Sequence, residues 1–143
     1  MESNMSEDAN GTPDEGLSLQ ARAQLALSQF ATVTLGDEGS LGFDYAGALC
    51  SLRAVRLSPE LEVLSLTAVL AWDRPLKPAL HKKVADRNAD SQFGAISVNT
   101  HGKLADVLLR YTFPANGLDD EAMLTMLILV LAGVEKAREG LLP

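Results

Sequence analysis

The chain has 143 residues, a mass of 15.2 kDa, a formal net charge of −7 and one cysteine. That length sets an expectation of one domain whose core needs no metal or disulfide, and a lone Cys50 excludes an internal disulfide and fits a reducing compartment. Five of the acids (Glu2, Glu7, Asp8, Asp14 and Glu15) stand in residues 1–16 without a single Lys or Arg, so the acidity is concentrated at one end. The basic stripe that nucleic-acid binding requires is missing.

Residues 1–16 are rich in Glu, Asp, Ser, Asn and Gly, lack aromatics, and read as a disordered acidic tail. The same stretch does not have the basic-then-apolar order of a signal peptide, which points to a cytoplasmic protein. Asn4-Met5-Ser6 and Asn10-Gly11-Thr12 spell glycosylation sequons, and without export they carry no weight. From Leu17 to Phe30 the spacing predicts a helix, with Leu19, Ala23, Ala26, Leu27 and Phe30 on one face and Ser18, Arg22 and Gln29 opposite. Gly36 to Ser40 is loop chemistry, with a short strand expected on one or both sides, at Thr32–Leu35 or Leu41–Tyr45.

Ala48–Leu57 and Leu61–Trp72 are the clearest strands, and Ser58-Pro59-Glu60 between them predicts an antiparallel hairpin. The second strand groups Leu64, Leu66, Leu70 and Trp72 on one face. Its other face carries Leu61, Val63 and Val69 beside Ser65 and Thr67, too apolar for a face wholly in water. Asp73 to Pro78 should break the strand, and Pro78 suits the first turn of a helix over 78–89, with Leu76, Leu80 and Val84 in an apolar line. Lys77, His81, Lys82, Lys83 and Arg87 cover the rest of that helix and read as a solvated basic face, or as a docking surface for an acidic segment, the protein's own tail included. Phe93–Asn99 and Lys103–Phe113 form a further hairpin turning at Thr100-His101-Gly102.

The last element, Leu118 to Leu142, opens with Asp119, Asp120 and Glu121 at the positive end of a helix dipole. Between Ala122 and Val134 its only polar side chain is Thr125, so it is apolar almost all round, yet too short an apolar run to span a membrane. It needs cover on two sides. Leu124, Leu127, Leu131 and Val134 point one way, and Ala122, Met126, Leu129 and Gly133 another. Either the helix at 17–30 covers the surplus, or a homodimer partner does, with Leu124, Leu127 and Leu131 as the interface candidates.

The reading is therefore an α+β two-layer sandwich over residues 17–143, with a mostly antiparallel sheet and the order α-β-β-β-α-β-β-α. No catalytic set accompanies it. His81 and His101 stand apart from each other and from any cysteine pair, short of the three or four ligands of a zinc site, and read as exposed side chains. Cys50 reads as a buried, inert thiol. Asp119, Asp120 and Glu121 are explained by the helix start they occupy, and the chain has no Gly-rich phosphate loop. Neither cofactor nor metal is expected, and enzyme function is not.

One resemblance adds to this. Leu80 and Val84 lead to Asn88, then Phe93-Gly94, then the apolar Val107-Leu108-Leu109. Pro114, Leu118-Asp119-Asp120 and the helix end Val134-Glu135-Lys136-Ala137 complete the pattern. Together they resemble the bacterial YbjN family and the related small acidic chaperones of type III secretion. The resemblance implies a helix, three strands, helix, two strands, helix plan and a non-enzymatic, chaperone-like role. Such a protein binds an extended peptide segment of a partner, a secreted effector in the dedicated secretion branch, and is commonly a homodimer. Val63, Val69 and Trp72 are the candidate peptide-binding residues. A homodimeric regulatory or scaffolding domain without peptide binding is the competing reading.

Overall fold

The computed structural model describes residues 17–141; the expected disordered tail and the last two residues lie outside the described residues. Helix α1 spans Leu19–Leu27 and starts where Ser18 accepts a hydrogen bond from the Ala21 amide at 3.1 Å. It buries the predicted Leu19, Ala23, Ala26 and Leu27, but stops before Phe30, where Ser28 Oγ turns back onto the Gln24 carbonyl at 2.7 Å. Phe30 instead meets Tyr45 edge to face, with ring centres 6.4 Å apart. Both short strands flanking the loop form: β1 at Thr34–Leu35 and β2 at Leu41–Tyr45 pair with each other across a single 3-10 turn at Asp37–Gly39.

Then follow β3 (Ala48–Ser58), β4 (Leu61–Pro75), α2 (Pro78–Asp90), β5 (Ala95–His101), β6 (Leu104–Pro114) and α3 (Asp120–Arg138). The sheet runs β1-β2-β3-β4-β6-β5 and every neighbouring pair is antiparallel. The α+β class is as read from the sequence, with one more strand in the first run because both flanking strands form. The β5–β6 turn falls at Gly102-Lys103, one position later than the sequence suggested, with Gly102 at φ 67°, a left-handed conformation that glycine adopts without strain.

All three helices pack on one face of the sheet. Cys50, Leu52, Leu64, Leu66, Ala68, Leu70, Ile96, Val107, Leu109 and Phe113 meet α1, α2 and α3 there in one continuous core. Helix α3 lies over β4 with α1 at its flank, and α2 leans on β5. Asp119 starts α3 by accepting from the Ala122 amide at 2.8 Å, as its position predicted. At the far end Lys83 Nζ donates to the Gly140 carbonyl at 2.6 Å and Arg87 Nε to the Glu139 carbonyl at 3.1 Å. Part of the expected solvated basic face of α2 thus satisfies the carbonyls just past the end of α3, where positive charge is favoured.

The dimer-interface candidates need correction. Leu127 and Leu131 are fully buried in the protomer's own core, and Leu124 is half-buried against it. A helix apolar all round does not announce which side its own sheet takes. Here α1 supplies the second cover, and the large apolar side chains that α3 leaves in water are Ile128 and Leu129.

Candidate functional site: the open face of the sheet

The opposite face of the sheet bears no helix among the described residues. Strand β4 runs through its middle and sends Val63, Ser65, Thr67 and Val69 outward, alternating with the buried Leu64, Leu66, Ala68 and Leu70. Registered neighbours fix four cross-strand rows. One row holds Leu49, Val69 and Leu108; the next holds Ser51, Thr67 and Arg110; the third Arg53, Ser65 and Thr112; the fourth Val55, Val63 and Pro114. Two apolar rows therefore enclose a polar belt, in which Thr112 Oγ1 donates to Ser65 Oγ at 3.0 Å.

Beyond the first row β4 is irregular. Val69 pairs with Leu108 but Ala71 with Val107, so Leu70 and Ala71 together oppose one residue and both point inward. That bulge reverses the alternation and turns Trp72 outward, 56 % exposed, instead of inward beside Leu70 as the simple alternation implied. A second irregularity follows, with Trp72 and Asp73 opposite Asp106, and carries the strand on to Pro75, past the break expected at Asp73. Asp73 takes the left-handed region at φ 52°, and its amide donates to Asp106 Oδ1 at 2.9 Å.

The candidates Val63, Val69 and Trp72 consequently share the open face. Val63 is buried there outside the main core, Val69 is half-buried, and Trp72 stands exposed beyond the row that holds Leu49, itself 50 % exposed. His101 closes this end of the face. Its Nε2 lies 3.1 Å from Asp106 Oδ1 and 3.2 Å from Asp73 Oδ1. The Asp73 amide, and after it the His101 ring, hold the Asp106 carboxyl below the usual carboxylate range. In the sequence alone His101 is an isolated exposed residue. Its partners are 28 and 5 positions away in the chain and meet it only through the hairpin and the bulge. The three ligand atoms lie within 4.8 Å of one another, a spacing a cation could bridge, but the hydrogen bonds they already make account for the arrangement. His81 is exposed on α2.

The sheet edges are less open than the face. The Asn88 carboxamide on α2 takes both backbone groups of Ile96, Nδ2 to the carbonyl and Oδ1 from the amide, each at 2.8 Å. On the other side Gln20 Oε1 accepts from the Ala54 amide at 2.8 Å, just past the point where β2 stops covering β3. Two helix carboxamides thus occupy the positions at which an added strand would begin to pair. Cys50 is buried on the inner face, and burial pushes its thiol up to about 12, which keeps it protonated and unreactive. A recess of about 360 Å³ between α2 and α3 is lined by Arg87, Asp90, Phe93, Gly133 and Lys136 among others, with Arg87 already engaged at the end of α3.

Among the described residues no helix is long and apolar enough to cross a membrane. No family model matches the chain, and no curated protein matches it. Its structure is similar to that of YbjN from E. coli, described as a candidate transcription regulator, with a TM-score of 0.55 and 10 % sequence identity over 82 % of this chain and 89 % of that one. At that identity the likeness is one of fold: a YbjN-like α+β architecture.

Proposed function

We propose that the protein is a non-enzymatic, chaperone-like module of the cytoplasm that holds an extended segment of a partner protein on the open face of its sheet. The observation that carries this is the exposure of Trp72 and Leu49 on the sheet face that bears the Leu49, Val69 and Leu108 row and that no helix among the described residues covers. Large side chains of that kind gain about 25 cal/mol for each Å² of apolar surface removed from water, so a segment laid across them is stabilised by several kcal/mol before ordering costs. The carboxamide caps at Ile96 and Ala54 favour the face over strand addition at an edge. A direct nucleic-acid role fits less well, because Arg53 and Arg110 share the face with Asp44, Asp73 and Asp106.

A second reading is a homodimer through the same face. Asp106, Leu108 and Arg110 stand at alternate positions of β6 with opposite charges about an apolar centre, a pattern that a two-fold copy can match. A secreted effector is one class of partner under the first reading.

Trp72 is the only tryptophan, so its fluorescence reports on this face alone. Adding a Trp-free unfolded polypeptide to the full chain should shift its emission to the blue in a saturable way. The shift should vanish in Val69→Asp while the urea midpoint stays near that of the parent. An emission spectrum that no unfolded polypeptide moves would sink the proposal.

A further inference from the structure

A belt holding Arg53 and Arg110 divides the two apolar rows of the open face. Arg110 is exposed and has no hydrogen bond or ion pair among the described residues. Its registered neighbours are Thr67 on one side and Ala95 on the other. In the next row Arg53 faces Glu38 at 3.7 Å, with both side chains half or more exposed, which is a weak and exchangeable pair. Hydroxyls of Ser51, Ser65, Thr67 and Thr112 fill the rest of the belt, and no carboxylate of the sheet stands in either of its two rows. The acids of this face, Asp44, Asp73 and Asp106, lie within or beyond the Leu49–Val69–Leu108 row.

We infer that the occupant is an extended partner segment carrying an acidic side chain between two apolar ones, with the acid set against Arg110 and Arg53. The inference rests on the polypeptide-binding reading above. Spacing makes the pattern definite. Rows along a strand are two residues apart, about 6.6–6.8 Å, so the two apolar rows are about 20 Å apart. A segment running along β4 faces the sheet with every second residue. It therefore places an apolar side chain at position i, an acid at i+2, an acid or hydroxyl at i+4, and a second apolar side chain at i+6.

Two other occupants fit less well. A second copy turned about the Leu49–Val69–Leu108 row would offer Asp106 to Arg110, but Asp106 is already held by the Asp73 amide and His101. A copy turned about the belt itself would set arginine against arginine. The chain's own residues 1–16 bring five acids, but their methionines, Met1 and Met5, are four apart and have no large apolar residue six positions on.

The test uses the full chain and Trp-free synthetic peptides with two leucines six residues apart. The residue two after the first leucine is Asp, Ser or Lys, and the Trp72 emission is followed. The Asp peptide should bind about fivefold tighter than the Ser peptide, the size of an exposed ion pair, and the Lys peptide more weakly than either. The advantage should fade as salt is raised. Arg110→Glu should reverse the order of the Asp and Lys peptides, with Arg53→Glu as an independent second variant. Equal binding of all three peptides would overturn the inference and leave the polypeptide-binding reading standing. Failure of every peptide to move the emission would overturn both. Sedimentation showing a dimer that peptides do not dissociate would give the face to a second copy instead. If replacing Glu2, Glu7, Asp8, Asp14 and Glu15 by their amides raised affinity for all three peptides alike, the chain's own N-terminal segment would be the occupant.

Discussion

The two faces of one sheet do opposite work, and β4 belongs to both. Toward the helices it sends Leu64, Leu66, Ala68 and Leu70, each with almost no exposed surface. Toward the open side it sends Ser65, Thr67 and Val69, which are half-buried, and Trp72, which is exposed. An unbroken two-residue alternation would have put Trp72 with the first set. The bulge at Leu70 and Ala71 places two small-to-medium apolar side chains inward in succession and releases the largest aromatic outward. One inserted position thereby moves a ring from the layer that holds the fold together to the exposed face of the sheet.

The largest effect that should separate the faces is a truncation on each. Leu66→Ala removes a fully buried side chain between β4 and the helices and should cost about 2–5 kcal/mol, seen as a lowered urea midpoint. Thr67→Ala, one residue along on the outer face, should stay within about 0.5 kcal/mol. Comparable losses at the two positions would mean that the outer face is also packed against something in solution, and the division of labour would fail.

Much of this division was legible in the residues and part was not. Pro78 marked the start of α2 because its ring suits a first helical turn, and Ser58-Pro59-Glu60 marked the β3–β4 hairpin because turn chemistry is local. The surplus of apolar side chains on the outer face of β4, Val63 and Val69 among them, shows in the residues as poor alternation. The bulge was not visible, since it exists only in the register of Leu70 and Ala71 against Val107, a strand 36 residues on from Ala71. The side of α3 that faces the sheet was equally silent. Leu127 and Leu131 look like interface residues in a sequence apolar all round, and only the docking of α1 and β4 shows them to be core.

A smaller effect should sharpen the contrast between face and edge. Asn88→Ala strips both partners from Ile96 on the outermost strand, at a cost of about 1 kcal/mol because water can replace them in part. Its second consequence matters more. From Ala95 to Thr100 strand β5 carries no charge and no proline, so the uncapped edge becomes a template for another strand. Light scattering should show slow association in this variant that the parent lacks. If the variant stays as monodisperse as the parent, the edge is protected by something other than the carboxamide.

The smallest effect concerns what keeps Trp72 turned out. Asp106 accepts the amide of Asp73 and bonds His101, and these contacts hold its carboxyl below the ordinary carboxylate range, the amide contributing most. A group whose folded pKa is depressed adds stability above its unfolded value, near 4 for an aspartate, and that addition is lost as pH falls through the folded value. The parent should therefore lose stability relative to Asp106→Asn as pH falls below about 4. The same acid titration should move the emission of Trp72 in the parent before the global unfolding transition, since the carboxylate that releases the Asp73 amide also releases the irregular stretch carrying the ring. Curves that remain parallel down to pH 3, with no early movement of the emission, would show that packing of Leu70 and Ala71 alone fixes the bulge and that the Asp73, His101 and Asp106 contacts are incidental to it.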